Sequence, residues 1–171
     1  MSTKDKPSDD DQLQIKNAHE FKIGIVVSEW NKDITDSLMK GCNEELTSQG
    51  VDKGNIFYLE VPGAFELPTG CRILDDKYNL DAVIALGCVI KGDTKHDEYI
   101  NQAVATGLMQ LGLMRSKPFI FGLLTTNDKQ QAVERSGGKL GNKGVECAIT
   151  ALKMAAVKKE LKSASKPIGF S

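Results

Sequence analysis

The chain has 171 residues, of which 40% are hydrophobic and 26% charged, and its formal net charge is −1 at pH 7. This length suits one domain with a substantial core. The near-neutral charge gives no general attraction to nucleic acid or to a membrane surface. No apolar run approaches the length of a membrane span, and the N-terminus lacks a signal-peptide core. The composition therefore predicts a single-domain cytoplasmic protein without a nucleic-acid or membrane partner.

The metal-ligating residue types are few and scattered. The four cysteines lie far apart with no C-x-x-C pair, and the chain has only two histidines, so it offers few ligands for a zinc site. We expect the cysteines to be reduced and mostly buried. No pattern for a bound cofactor or metal is present, and none is predicted.

The first elements follow a polar segment. Residues 1–17 are expected to be flexible, because they are polar and include three consecutive aspartates, and the folded domain is predicted over 18–162. Phe21 to Val27 is an apolar, β-branched run that predicts a buried strand. Ile34 to Gln49 has apolar residues at helical spacing, and Gly50 suits the end of that helix.

The middle of the chain continues the alternation of strand and helix. Ile56 to Val61 predicts the second strand, and Phe65 to Asp76 predicts a helix that tolerates Pro68 only in its first turn. Ala82 to Ile90 is apolar almost throughout, as expected of a strand covered on both faces. Glu98 to Met114 predicts a long amphipathic helix.

The last elements are a strand and two helices separated by glycines. Phe119 to Leu124 predicts the fourth strand, Lys129 to Arg135 a short helix, and about Lys143 to Lys162 the final helix. Residues 163–171 are expected to form a flexible tail. Because apolar strands alternate with helices throughout, the sequence predicts a doubly wound α/β domain with a parallel sheet.

Ligands bind such sheets beyond the carboxyl ends of the strands, and the third of these loops contains a histidine. His96 follows Gly92 and Thr94 and precedes a helix, where its ring could transfer a proton near neutral pH. The glycine, the hydroxyl and the helix start also suit an anion. A helix-capping or solvated histidine is the alternative, and from the residues alone it is the more frequent one.

The other loops carry a carboxylate, an aromatic ring and cations. Glu66 either complements the dipole of the helix that it begins or accepts hydrogen bonds from a polyol. Trp30, the only tryptophan, either packs or stacks on a planar ligand. Arg135 and Lys143 flank a glycine-rich stretch, where cations ordinarily form a solvated face.

Four nucleotide- or phosphate-related classes fit poorly. The first loop, Ser28 to Asp33, has no glycine and carries acids, unlike a phosphate-wrapping flavodoxin loop. A receiver domain would need a carboxylate pair after the first strand and a fifth strand. The glycine patterns of Rossmann and P-loop proteins are absent.

Together the loops resemble one family over about Phe21 to Met154. The matching motifs, in chain order, are Trp30-Asn31 with Ile34-Thr35, Val61 to Pro68, Leu86 to Gly92 with Thr94 and His96, Phe121 to Thr126 with Arg135, and Gly141 to Gly144. With these motifs in order and at family spacing, the chain closely resembles the lumazine synthases. The resemblance implies condensation of 5-amino-6-(D-ribitylamino)uracil with 3,4-dihydroxy-2-butanone 4-phosphate to 6,7-dimethyl-8-ribityllumazine, with release of phosphate and water. It implies no cofactor.

The resemblance also implies roles for particular residues. His96 matches the proton-transfer residue, and the implied substrate-binding residues are Trp30, Ala64, Phe65, Glu66, Cys88, Val89, Ile90, Asp93, Thr94, Phe121, Arg135 and Lys143. Of these, Trp30 and Phe121 would border the pyrimidine, Glu66 the ribityl chain, and Arg135 the phosphate together with Asp93 and Thr94. Trp30 stands where many members have phenylalanine.

The implied fold is a flavodoxin-like three-layer sandwich with a four-stranded parallel sheet. The implied partner is the chain itself, in a homo-oligomer built from pentamers. The compact stretch from Gly137 to Gly144 favours an icosahedral shell over a free pentamer. A non-catalytic riboflavin-binding shell of the same fold is the alternative. Trp30 would support it, whereas His96, Thr94 and Arg135 argue against it.

Overall fold

The computed structural model describes residue 15 and residues 17–164, so most of the predicted N-terminal segment and C-terminal tail lies outside the described residues. Four parallel strands form one sheet in the order β2-β1-β3-β4, as the sequence predicts. They are β1 (Ile23–Ser28), β2 (Ile56–Val61), β3 (Ala82–Ile90) and β4 (Phe119–Thr126). The strand β4 is an edge of this sheet.

Helices cover both faces of the sheet, which confirms the three-layer sandwich. They are α1 (Lys32–Ser48), α2 (Leu67–Tyr78), α3 (His96–Arg115), α4 (Lys129–Arg135) and α5 (Lys143–Ala164). One apolar core joins α1, α4 and α5 to one face, and a second joins α2 and α3 to the other. Because β1 and β3 lie between the two cores, they are buried on both faces, which explains their uninterrupted apolar runs.

The structure refines several predicted boundaries. A 3-10 turn, Ala64–Glu66, precedes α2, and Pro68 occupies the first turn of that helix, where its missing N–H costs no hydrogen bond. The helix α3 begins at His96, two residues before the predicted start. Residue Ser28 extends β1 beyond the predicted end.

A small antiparallel ribbon between α4 and α5 was not predicted. It consists of β5 (Ser136–Gly138) and β6 (Gly141–Asn142). Gly137 and Gly141 have φ of 128° and 81°, values that glycine adopts readily and that let the chain reverse within a few residues. Strands this short show no periodicity, so only the glycines signal them.

The four cysteines are free and buried, one of the two cores containing Cys42, Cys88 and Cys147 and the other Cys71. This confirms the prediction that they are reduced thiols of the interior. Within the described part of the chain, no helix has both the length and the apolar character needed to cross a membrane.

Candidate functional site

Three hydrogen bonds tie together the loops that follow the strands. The Glu29 N–H donates to the Val61 carbonyl at 3.0 Å, and the Lys91 N–H donates to the Thr126 carbonyl at 2.8 Å. The Asn31 side-chain amide donates to the Cys88 carbonyl at 3.0 Å. These bonds connect the ends of all four strands, so the loops form one continuous surface at the carboxyl edge of the sheet.

Trp30 and Glu66 border the same turn of this surface. A Cβ placed on Gly63 would lie 2.9 Å from Glu66 Oε2 and 3.8 Å from Trp30 Cδ1, so both side chains lie close to this glycine. Trp30 is 72% exposed and Phe65 60% exposed, whereas Ala64 is buried. A largely exposed indole is not a core residue of the single chain, which leaves its face available for stacking.

The end of β3 and the start of α3 provide the remaining predicted residues at this edge. Cys88 is buried, Val89 and Ile90 are half-buried, and Asp93 and Thr94 are exposed in the following loop. His96 is the exposed first residue of α3; the cap position before it belongs to Lys95, so His96 does not cap the helix. Its ring therefore faces solvent at the edge where a ligand is expected.

The Cys88 thiol is not a nucleophile in this arrangement. Burial and the nearby charge of Asp33 raise its pKa to about 11, so the thiol stays protonated near neutral pH, and the thiolate is the reactive form. The resemblance implies that Cys88 instead presents its backbone to the pyrimidine edge, and its carbonyl already accepts the Asn31 amide. A carbonyl oxygen has a second lone pair, which remains for another donor.

Phe121 lies away from this surface. It pairs with Ala85 in the sheet, five positions before Thr126, where the paired part of β4 ends. At the rise of an extended strand this separation is roughly 16 Å. The ring is 39% exposed on the edge strand.

Arg135 and Lys143 are joined to each other through a third residue. Glu146 accepts hydrogen bonds from Arg135 Nη1 at 3.0 Å, from Arg135 Nη2 at 3.2 Å and from Lys143 Nζ at 3.0 Å. Burial favours the neutral acid, but the hydrogen bonds and charges of the two cations outweigh it and hold the pKa of Glu146 at about 2. The sequence reasoning missed Glu146, although a carboxylate three residues after Lys143 on a helix is within its reach.

The predicted site residues thus form two groups in one chain. We call the first the carboxyl-edge group: Trp30, Ala64, Phe65, Glu66, Cys88, Val89, Ile90, Asp93, Thr94 and His96. The second, the flanking group, is Phe121, Arg135 and Lys143. No hydrogen bond or ion pair joins the side chains of the two groups within the described residues. In the described part of the chain, no cluster of His, Cys, Asp and Glu suits a metal ion either.

A four-stranded parallel sheet covered by helices on both faces defines a flavodoxin-like α/β protein, and proteins with such sheets bind ligands beyond the carboxyl ends of the strands. Comparison with known proteins narrows this class. The family model described as 6,7-dimethyl-8-ribityllumazine synthase matches residues 20–159. The chain belongs to this family of riboflavin-pathway transferases.

Several relatives with this name match the chain over nearly their whole length. A 6,7-dimethyl-8-ribityllumazine synthase of Cytophaga hutchinsonii is 49% identical over 156 residues, which are 91% of this chain and 98% of that protein. The protein of the same name from Parabacteroides distasonis is 50% identical over 147 residues, covering 86% and 92%. The one from Porphyromonas gingivalis is 48% identical over 152 residues, covering 89% and 94%.

Proposed function

We propose that this protein performs the reaction of its family in the cytoplasm, at a site that two neighbouring copies build together. The reaction joins 5-amino-6-(D-ribitylamino)uracil to 3,4-dihydroxy-2-butanone 4-phosphate and releases phosphate and water. One copy contributes the carboxyl-edge group, and its neighbour contributes the flanking group. The observation that carries the proposal is that Phe121 lies roughly 16 Å along β4 from the carboxyl edge, while Arg135 and Lys143 bind Glu146 and no side chain of the carboxyl-edge group.

The carboxyl-edge group suits the pyrimidine and its ribityl chain. The exposed Trp30 indole offers a face for the planar ring. The Glu66 carboxylate, next to the same Gly63 turn, can accept hydrogen bonds from ribityl hydroxyls. His96 is exposed at the same edge and can move the protons that imine formation and phosphate elimination require.

The phosphate of the second substrate needs cationic donors, and the loop after β3 offers only the point charges of two exposed lysines, Lys91 and Lys95. Asp93 is itself an anion, so Thr94 and the backbone of the loop would provide uncharged donors there. Arg135 is the residue type best suited to a phosphate, because its planar fork binds two oxygens at once. A neighbouring copy that brings Arg135 to this loop would complete the phosphate site, and its Lys143 would lie near the pyrimidine.

The surface of the chain supports assembly with copies of itself. An apolar groove of about 760 Å³ lies between α3, the start of β4 and α5. Its exposed apolar side chains are Met109, Leu113, Met154, Val157 and Leu161. The adjacent strand β4, which carries Phe121, is an edge of the sheet. Exposed apolar surface beside a free strand edge marks an interaction surface. We propose a pentamer, assembled further into an icosahedral shell.

Co-assembly of two inactive variants tests the shared site. Glu66→Ala with His96→Ala damages the carboxyl-edge group, and Arg135→Ala damages the flanking group, so each variant alone should be nearly inactive. Rings reassembled from equal amounts should pair two intact groups at about one interface in four, by random mixing in a closed ring. Lumazine formation, measured by absorbance, should then rise well above that of either parent.

Two further measurements accompany this experiment. Native mass spectrometry verifies that the rings are mixed and gives the number of subunits. Mixed rings that stay as inactive as their parents would show that each copy carries a whole site. A wild-type protein that forms no lumazine from the two substrates would instead contradict the proposed reaction itself.

A further inference from the structure

Glu146 is the charged residue at the centre of the flanking group. The exposed fractions of the Arg135, Lys143 and Glu146 side chains are 19%, 22% and 32%, so this is a partly buried cluster and not a solvated surface pair. Two cations and one carboxylate leave the cluster with one net positive charge. Because Arg135 and Lys143 both donate to the Glu146 carboxylate, it holds the two cations next to each other.

The contact between Glu146 and Arg135 determines which edge of the guanidinium is available. The two carboxylate oxygens take one N–H from each terminal nitrogen, and the Leu140 carbonyl takes the second N–H of Nη1 at 2.8 Å. Three of the five N–H groups of an arginine are thereby used. The other two, on Nε and Nη2, lie side by side on one edge and have no acceptor within the described residues.

This free edge has the geometry of a phosphate-binding fork. Two parallel N–H groups match two oxygens of a phosphate and form charge-assisted hydrogen bonds. A long, rotatable side chain loses conformational freedom when it binds a ligand. Here the carboxylate and the Leu140 carbonyl already fix the guanidinium, so the free edge is oriented before the phosphate arrives.

We infer that Glu146 is a positioning residue for the phosphate-bearing substrate: it holds the end of the Arg135 guanidinium and leaves the Nε–Nη2 edge facing the ligand. The inference rests on the proposed role of Arg135 in binding phosphate. Glu146 does not contact the substrate in this arrangement. It also anchors Lys143 beside Arg135, so that the second cation strengthens the local positive potential.

The test compares the two substrates of one enzyme. Glu146→Ala should raise the KM for the butanone phosphate by about three- to tenfold, the range expected for one side chain that must now be immobilised on binding. The KM for the pyrimidine should change by less than about twofold, because Trp30 and Glu66, the proposed partners of its ring and its ribityl chain, belong to the carboxyl-edge group. Inorganic phosphate, titrated by calorimetry into the assembled protein, should bind correspondingly more weakly. Glu146→Asp should recover part of this loss.

A matched control and a double variant distinguish positioning from general support of the fold. Glu134 is also a half-buried carboxylate close to Arg135 in the chain. Its side chain accepts the Gln130 amide and the Lys139 N–H, and it binds neither Arg135 nor Lys143. Glu134→Ala should therefore leave both KM values unchanged. In an Arg135→Lys background, whose ammonium has no fork to orient, Glu146→Ala should have much less effect on the KM for the butanone phosphate.

The outcomes separate this inference from the proposed function. Should Glu146→Ala raise both KM values equally, or weaken phosphate binding to the same degree in the Arg135→Lys background, Glu146 supports the fold and the inference is wrong. Unchanged phosphate binding in Glu146→Ala overturns it as well. If Arg135→Ala itself leaves phosphate binding unchanged, the proposed role of Arg135 fails first, and the positioning role fails with it.

Discussion

Asp75 provides a sharp test of how this fold is held together. Its side chain is fully buried on α2 and accepts hydrogen bonds from Lys117 Nζ at 2.6 Å, Arg115 Nε at 3.1 Å and the Leu80 N–H at 3.2 Å. It thereby connects α2 to the start of β3 and to the segment between α3 and β4. These contacts lie at the amino edge of the sheet, opposite the candidate site.

Removal of this carboxylate leaves charged and polar groups without their partner. The Lys117 side chain is only 8% exposed, so its ammonium cannot regain full hydration when Asp75 is replaced by alanine. Breaking a buried ion pair in this way costs about 3–5 kcal/mol of unfolding free energy. In a chain of this size that loss lowers the melting temperature by about 6–20 °C.

The neighbouring Asp76 is a matched control. It also binds Arg115, at 2.8 Å, and it pairs with Arg72, but its side chain is 47% exposed. An exposed pair of this kind contributes about 0–1 kcal/mol. Asp76→Ala should therefore shift the unfolding transition by no more than a few degrees.

The assay is chemical and thermal unfolding of the assembled protein at one fixed subunit concentration, because assembly makes apparent stability concentration-dependent. Enzyme kinetics are measured as well, at a temperature well below the melting transition, and both KM values of Asp75→Ala should stay within about twofold of wild type. Equal, small losses of stability in Asp75→Ala and Asp76→Ala would refute the reasoning. A large change in either KM for Asp75→Ala would refute the expectation that a change at the amino edge of the sheet leaves the candidate site at the carboxyl edge intact.

Three more predictions follow from single residues. His96→Ala should lower turnover on the order of ten- to a hundredfold, near the lower end of general acid–base effects, and an unchanged turnover would show that another group or water moves the proton. Riboflavin or the product should quench Trp30 fluorescence, since its indole is exposed for stacking; saturating ligand without a change in emission would exclude stacking. A Cβ on Gly144 would overlap the Leu38 carbonyl, so Gly144→Ala should lower the free energy of unfolding by more than about 1–3 kcal/mol, the usual range for overpacking. Denaturant unfolding measures this loss, and a variant as stable as wild type would mean that α1 and α5 can separate freely.

Much of the fold was predictable because its signals are local. The uninterrupted apolar runs of β1 and β3 predicted strands buried on both faces, and the structure places both between two cores. Pro68 predicted the register of the α2 start, since proline fits only the first turn. The β5–β6 ribbon was missed because tertiary contacts determine it: the Asn142 amide donates to the Ser37 and Ser136 carbonyls, and Ser37 lies far away along the chain.

The same contacts give a physical meaning to one of the sequence motifs. Asn142 also accepts the Gly144 N–H at 2.8 Å, and the missing side chain of Gly144 lets α5 approach α1 closely. Within the stretch from Gly141 to Gly144, the asparagine and the second glycine therefore serve packing, and only Lys143 points to the flanking group. Sequence alone could not separate these roles, because the partner of each residue lies on another element. Glu146 was missed for the same reason.

The exposed aromatic side chains link ligand binding to assembly in the proposed site. Trp30 and Phe65 at the carboxyl edge, and Phe121 on the edge strand, are among the large apolar side chains that one chain leaves exposed. Covering such a ring with a ligand or with a second copy stabilises the complex by about 25 cal/mol per Å² of apolar surface removed from water.

If Phe121 of one copy and Trp30 of the next enclose the same pyrimidine, ligand binding buries surface from both copies at once. The ligand then stabilises the interface by the same free energy that the interface contributes to ligand binding, because coupling between two binding events is reciprocal. Assembled rings should therefore resist dissociation better with product bound, and variants that weaken the ring should bind the pyrimidine more weakly even when every residue of the carboxyl-edge group is intact.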